Sequence, residues 1–134
     1  MANLTFKSIG ATQVALNEIG TPNQATISYN TGNGWSEYTF GTAISLSDGD
    51  EVAFSGSAKF SKNIQNRYNF STSGEGTLAL SGDLMSLVSS TTVEDDYEFN
   101  SLFSGCANLV DVSGLVLNAT NATRFCYSNM FINC

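Results

Sequence analysis

The stretch Cys126-Tyr-Ser-Asn-Met-Phe-Ile-Asn-Cys134 repeats the chemistry of an earlier one, Glu98-Phe-Asn-Ser-Leu-Phe-Ser-Gly-Cys106. Shifting the chain by 28 residues places aromatic on aromatic, leucine on methionine and cysteine on cysteine. The paired positions are Tyr97 with Phe125, Phe99 with Tyr127, Leu102 with Met130, Phe103 with Phe131, and Cys106 with Cys134. A period of this length is typical of solenoids. The two phrases therefore predict the beginning of a repeat region over residues 89–134.

The residues between the two phrases predict how one coil is built. Leu109, Val112, Leu115 and Leu117 indicate an extended segment that buries one face. The acidic stretch 94–96 precedes the first phrase, where it would suit the N-terminus of a short helix. Each coil is thus expected to contain one strand and one short helix, as in a leucine-rich repeat. The cysteine would occupy a turn too tight for a larger side chain.

The repeat region holds about one and a half coils, because the second coil stops just after its cysteine. One coil cannot bury both of its faces, so neighbouring coils are required. We expect the open face to meet either a continuation of the chain beyond Cys134 or a partner, which would be another protein or a second copy. The positions predicted to form the stack are Phe99, Leu102, Phe103, Cys106, Leu109, Cys126, Tyr127, Met130, Phe131 and Cys134.

The N-terminal part of the chain is predicted to be a β-sandwich domain over residues 1–88. Short stretches rich in aromatic and β-branched residues alternate with Gly, Asn, Asp and Ser. Asn30-Thr-Gly-Asn-Gly34 indicates a hairpin and Asp48-Gly-Asp50 a second turn. Residues 83–88 indicate a short helical turn with Asp83 near its N-terminus. The expected fold class is mainly β, a β-sandwich followed by the beginning of a leucine-rich-repeat solenoid.

Leu102-Phe-Ser-Gly-Cys-Ala-Asn-Leu109 and Cys126-Tyr-Ser-Asn-Met-Phe-Ile-Asn-Cys134 resemble the BspA-like leucine-rich repeats. Coils of that family carry Met-Phe-x-x-Cys-x-x-Leu, preceded by a Cys-Tyr pair. The first coil here departs from the pattern with Leu102 in place of Met and Glu98 in place of Cys, which suggests a terminal coil exposed on one side. Residues 60–88 resemble the β-rich preamble of such repeats in proteins of gut commensal bacteria and their phages.

The family resemblance implies a non-catalytic role in surface display, adhesion, or recognition of proteins or glycans. The start of the chain lacks a charged segment followed by an apolar one, as a secretory signal would have. We therefore expect a phage virion component, such as a fibre, decoration or adhesin protein, or else a bacterial surface protein. The expected location is the virion or the cell surface.

The charge balance excludes some partners. The formal net charge is −7, and only five residues are Lys or Arg. Neutralising phosphates requires clustered basic side chains, so nucleic acid is not an expected partner. No apolar run is long enough for a transmembrane helix, so membrane insertion is not expected.

The residue types present in the sequence give little support for catalysis or for the binding of a cofactor. The chain contains no histidine, which removes the usual general base and most zinc sites. The three cysteines are expected to pack as small apolar groups. The acids Asp48, Asp50 and Glu51, and those between 94 and 98, form short clusters of the kind found at solvated turns. No catalytic residue and no cofactor are predicted, and calcium at Asp48, Asp50 and Glu51 remains an alternative.

Aromatic residues around one hairpin leave a second function open. Trp35 and Tyr38 are candidates for a platform on which a sugar ring stacks. A single tryptophan in a small sandwich is more often part of the core. The alternative function is therefore a carbohydrate-binding module of a protein that recognises surface glycans.

Overall fold

The chain is mainly β and forms two sheets in the computed structural model, which describes residues 2–57, 60–90, 92–93, 96–121 and 126–134. A 3-10 helix covers Leu84–Leu87. The strands are β1 (Leu4–Ile9), β2 (Thr12–Ile19), β3 (Thr26–Asn30), β4 (Ser36–Glu37), β5 (Ile44–Leu46), β6 (Glu51–Ser57), β7 (Arg67–Ser73), β8 (Thr77–Asp83) and β9 (Leu109–Val116).

The larger sheet has the strand order β4-β3-β6-β1-β8-β9, and the smaller sheet has the order β5-β2-β7. All neighbouring strands are antiparallel except β8 and β9, which pair in parallel. Aromatic side chains from both sheets contact one another. The ring of Phe70 on β7 lies 5.0 Å from Phe6 on β1 and 5.1 Å from Phe54 on β6. The core therefore lies between the two sheets.

In most strands, buried residues alternate with more exposed ones, as the sequence pattern predicts. Along β8, Leu78 and Leu80 are fully buried while their neighbours are less so, as expected for a strand with one face on the core. The predicted hairpin at Asn30–Gly34 is confirmed by the antiparallel pairing of β3 with β4. Residues 35–40 include three aromatic residues but form a strand only over Ser36–Glu37, and β5 has three residues, too few to show alternation in the sequence.

The predicted turn at the end of β8 is confirmed. Leu84–Leu87 forms a 3-10 helix, and the Asp83 carboxylate accepts a hydrogen bond of 2.9 Å from the Met85 N–H. This bond satisfies an amide that has no partner inside so short a helix. All four residues of the helix are buried, so it closes one end of the core.

The short helix predicted in each coil is wrong for the described residues. Residues 96–105 and 126–133 form consecutive turns instead. Backbone φ is positive at every fourth residue, namely Tyr97, Ser101 and Gly105 in the first phrase and Asn129 and Asn133 in the second. A right-handed helix cannot contain residues in the left-handed region, so the chain turns again at each of them.

The extended segment after the first phrase is confirmed as β9. Its burial differs from the prediction, because Leu109 is buried but Val112 and Leu117 are 39% and 48% exposed. Among the described residues, β9 is the last strand of the larger sheet and pairs only with β8. Its position at the edge explains why an apolar strand remains exposed.

Candidate interaction surface at the stacked layers

Three chain segments lie on top of one another at the C-terminal side of the fold. We call residues 60–83 the base layer, residues 96–116 the middle layer and residues 126–134 the end layer. The base layer includes β7 and β8 and thus belongs to the two sheets. The middle layer contains the first repeat phrase with β9, and the end layer is the second phrase. The two phrases found in the sequence are therefore spatial neighbours.

Backbone hydrogen bonds join the middle layer to the end layer at every second residue. In each bond the N–H of the middle layer donates to a carbonyl of the end layer. The pairs, all 2.9 Å apart, are Phe99 N with Cys126 O, Ser101 N with Ser128 O, Phe103 N with Met130 O, and Gly105 N with Ile132 O. Each donor and its acceptor are 27 residues apart, one residue less than the repeat period of 28 read from the sequence.

The base layer is joined to the middle layer in the same way. Its N–H groups donate to carbonyls of the middle layer. The pairs are Ser61 N with Glu98 O at 3.2 Å, Phe70 N with Leu102 O at 2.7 Å, and Leu78 N with Asn108 O at 2.8 Å. Residues of the β-rich region thus form a first layer for the repeat.

Aromatic rings form columns through the layers. The Phe103 ring stacks on Phe70 at 5.5 Å with an interplanar angle of 7°. On its other side it stacks on Phe131 at 5.3 Å and 6°. A second pair, Phe99 and Tyr127, is parallel within 8° at 6.1 Å. Ring pairs of this kind contribute beyond the area that they bury.

The two cysteines of the repeat make the same contact one layer apart. The Cys106 Sγ donates to the Phe70 carbonyl at 3.1 Å, and the Cys134 Sγ donates to the Phe103 carbonyl at 3.0 Å. Burial raises the pKa of the Cys106 thiol to about 12. Cys106 and Cys126 are buried and are not in a disulfide, as expected for packing residues, whereas Cys134 is exposed.

Burial of the predicted repeat positions decreases from the middle layer to the end layer. Phe99, Leu102, Phe103 and Cys106 have no exposed surface. Leu109, Cys126 and Met130 are buried, while Tyr127 and Phe131 are partly exposed. Ile132 is 49% exposed. The end layer therefore packs on one side and leaves the other side open to solvent.

Polar side chains that sequence reasoning missed also bridge the layers. Asn69 Nδ2 of the base layer donates to the Ser101 and Leu102 carbonyls at 2.9 and 3.1 Å. Asn100 Nδ2 donates to the Ser128 carbonyl at 3.2 Å. The relation of Asn100 to Ser128, one repeat apart, is the only sequence signal that could have indicated these contacts.

Glu98 lies at the junction of the base and middle layers. The expectation that it marks an exposed coil is wrong, because Glu98 is 1% exposed. Its Oε1 accepts a hydrogen bond of 2.7 Å from the Phe60 N–H. The β-rich region covers this side of the middle layer and supplies a donor for the carboxylate.

The predicted acidic cluster does not converge on one point. The Asp48 carboxylate accepts from the Gly10 N–H, and the Asp50 carboxylate accepts from the Ser47 N–H, both at 2.9 Å. Asp50 and Glu51 border a shallow depression of about 420 Å³. Among the described residues, no group of three or more Asp, Glu or Cys is arranged to hold a metal ion. Glu94 and Asp95 lie outside the described residues.

The two aromatic candidates for a sugar platform lie in different environments. Trp35 is 46% exposed, but Tyr38 is only 4% exposed. The Tyr38 hydroxyl accepts from the Leu16 N–H at 2.9 Å and donates to the Thr42 carbonyl. Burial raises the pKa of Tyr38, against the effect of the Leu16 hydrogen bond. Tyr38 therefore serves the core, and only Trp35 is accessible to a ligand.

Comparison of the chain with protein families, with curated proteins and with solved structures found no match. Within the described part of the chain, no helix is long and apolar enough to cross a lipid bilayer. The resemblance to BspA-like repeats stays a prediction.

Proposed function

We propose that the chain is a non-catalytic structural or adhesion module that acts through its repeat layers. In this proposal residues 1–88 are a β-sandwich, and residues 89–134 begin a leucine-rich-repeat solenoid of the BspA-like kind. The sandwich supplies the base layer, on which the first coil stacks. The module belongs to a phage virion, as a fibre, decoration or adhesin protein, or to a bacterial surface protein.

The proposal rests on the regular stacking of the end layer on the middle layer. Each backbone bond joins a donor to an acceptor 27 residues later, and each ring pair joins residues 28 apart, so the contact is repetitive. A repetitive contact can be extended by further coils or met by another chain, and stacked repeats together form the extended surfaces with which solenoids bind partners. The large apolar residues Val110, Val116, Leu117 and Ile132 are exposed around the same layers.

Immunogold microscopy tests the proposed location. Antibodies raised against the purified chain should label the outside of intact virions or cells from the organism that encodes it. Pre-immune serum provides the background. Label confined to the cytoplasm of sectioned cells would contradict the surface role.

A matched pair of variants tests whether the end layer makes the interaction. Ile132 in the end layer and Ile64 in the loop before β7 are 49% and 56% exposed. Ile132→Asp should reduce incorporation into the virion or retention on the cell surface, whereas Ile64→Asp should not. Equal incorporation of both variants would exclude the end layer as the contact.

A carbohydrate-binding module is the second candidate, because Trp35 is exposed at a hairpin. The chain has a single tryptophan, so its fluorescence reports on this position alone. A saturable change on titration with polysaccharides, absent with unrelated polymers of equal viscosity, would favour this candidate. If fluorescence is constant up to millimolar sugar, glycan binding at Trp35 is excluded.

A further inference from the structure

We infer that the end layer is a one-directional docking edge, which accepts a further coil of the same repeat chemistry and rejects a second copy of itself. This inference rests on the proposed function and specifies the partner of the same surface. The coil must present a row of backbone carbonyls to the end layer. It must also carry aromatic side chains at the positions that stack on Tyr127 and Phe131.

Among the described residues, the backbone hydrogen bonds between layers that lie outside the strand ladders all run in one direction. Outside the β8–β9 ladder, backbone N–H groups of the base layer donate to carbonyls of the middle layer, and those of the middle layer donate to carbonyls of the end layer. The turn segment of the middle layer therefore has an acceptor side, toward the base layer, and a donor side, toward the end layer. Phe103 illustrates this, since its N–H donates to the Met130 carbonyl while the preceding carbonyl, of Leu102, accepts from Phe70.

The other carbonyls are used inside their own layer. In the middle layer the Phe99, Ser101 and Phe103 carbonyls accept from the amides three residues later. The end layer repeats this pattern, with the Asn129 carbonyl accepting from Ile132 N at 3.3 Å and the Phe131 carbonyl from Cys134 N at 3.2 Å. The forward side of a layer thus offers mainly N–H donors.

The end layer has donors in the corresponding places. The residues equivalent to Phe99, Ser101, Phe103 and Gly105, one period later, are Tyr127, Asn129, Phe131 and Asn133. Positive φ values at Asn129 and Asn133 match those at Ser101 and Gly105, so the backbone follows the same path. The N–H groups of these four end-layer residues have no acceptor among the described residues. Covering them without acceptors would cost free energy for each amide, so an occupant must supply carbonyls.

Side-chain contacts specify the coil further. The Phe103 carbonyl accepts a second hydrogen bond from the Cys134 Sγ of the next layer. The equivalent carbonyl of Phe131 is therefore placed to accept from a cysteine of the docking coil. An aromatic residue three positions before that cysteine would extend the ring column of Phe70, Phe103 and Phe131.

A second copy does not fit this edge through its own end layer. Two end layers related by a two-fold axis would place N–H donors against N–H donors. Such a contact buries unsatisfied amides on both sides. The polarity of the backbone thus selects a head-to-tail partner.

The test is an extended chain in which residues 107–134 are repeated after Cys134, so that a third layer can form. Amide hydrogen exchange by NMR should show the Tyr127, Asn129, Phe131 and Asn133 amides slowed by about tenfold or more relative to the parent chain. The middle-layer amides that donate hydrogen bonds to the end layer should be protected from exchange in both proteins, and this protection reports that the chain is folded. A control extension carries Ser at the copied Met, Phe and Cys positions, and should leave the four amides exchanging as in the parent.

A second arm adds the 28-residue copy of residues 107–134 as a free peptide to the parent chain. Slower exchange at the same four amides supports docking by a separate coil. Unchanged exchange in both arms, with the middle layer still protected, overturns the inference. The inference is also overturned if these four amides are already protected in the parent chain without added peptide and the parent sediments as a dimer. A second copy would then occupy the edge. None of these results depends on where the protein is located, so they are independent of the immunogold test.

Discussion

Phe131 stacks on Phe103 at 5.3 Å with nearly parallel rings, and Phe103 stacks on Phe70 at 5.5 Å in the same manner. The three rings come from the end, middle and base layers. Phe70 belongs to β7, so the column connects the repeat phrases directly to the sheets. Phe103 is the residue that both contacts share.

Phe103→Ala should be much more destabilising than Phe131→Ala. Phe103 is fully buried and has a ring on each side, so its removal leaves a cavity and should cost about 3–5 kcal/mol. Phe131 is partly exposed and contacts one ring among the described residues, so we expect less than about half of that cost. Urea titration, with the slope of each transition compared, measures the difference. Equal losses in the two variants would contradict a column centred on Phe103.

The pairing of the two phrases was predictable because ring, thiol and Leu/Met positions have to match for layers to stack. The helix assignment failed for a related reason. Turns that recur every four residues place Phe99 and Phe103 on one side, which imitates the spacing of an amphipathic helix. The difference lies in backbone φ, and neither Ser101 nor Asn129 marks a left-handed residue strongly enough to be recognised.

Contacts of the base layer were beyond prediction from the sequence. The hydrogen bond of Glu98 to Phe60 and that of Asn69 to Ser101 join residues far apart in the chain. These bonds form only because the β-rich region folds back along the middle layer. The exposure of β9 likewise depends on its place at the edge of the sheet, since its apolar sequence alone predicts burial.

Substitutions at Gly105 test the left-handed turns. Gly105 has φ +79°, and no heavy atom lies within 4 Å of a Cβ built there. Its equivalent in the end layer, Asn133, has φ +61°. Gly105→Asn should therefore be tolerated, whereas Gly105→Val should cost about 1–2 kcal/mol, because a β-branched residue is strained in this region. Thermal unfolding of both variants measures this, and similar melting temperatures would show that the turn is not left-handed.

Glu98 should be needed as a hydrogen-bond acceptor. Glu98→Ala leaves the Phe60 N–H without its carboxylate partner in a buried environment, at a cost of about 1–3 kcal/mol. Glu98→Gln keeps an acceptor oxygen of similar reach and should cost less. Chemical denaturation of the two variants separates the roles. If Gln is as destabilising as Ala, the negative charge rather than the acceptor is required.

Cys106 should make stability fall at alkaline pH. Burial raises the pKa of its thiol from 9.0 to about 12, with a smaller contribution from Cys134 and an opposing one from a hydrogen bond with Thr72. Between these two pH values the folded chain keeps a proton that the unfolded chain has lost. The free energy of unfolding therefore decreases as pH rises above 9, by up to about 1 kcal/mol per pH unit for this group.

Cys106→Ser is the matched control, because serine keeps a donor for the Phe70 carbonyl but does not titrate in this range. Burial also raises the pKa values of Tyr38, Tyr68 and Tyr127, whose effects are common to both proteins. The difference in slope between wild type and Cys106→Ser, from urea titrations between about pH 8 and 11, thus isolates the thiol. Parallel pH profiles of the two proteins would show that the Cys106 thiolate forms as easily in the folded chain as in the unfolded one. That result would contradict the raised pKa that burial gives this thiol.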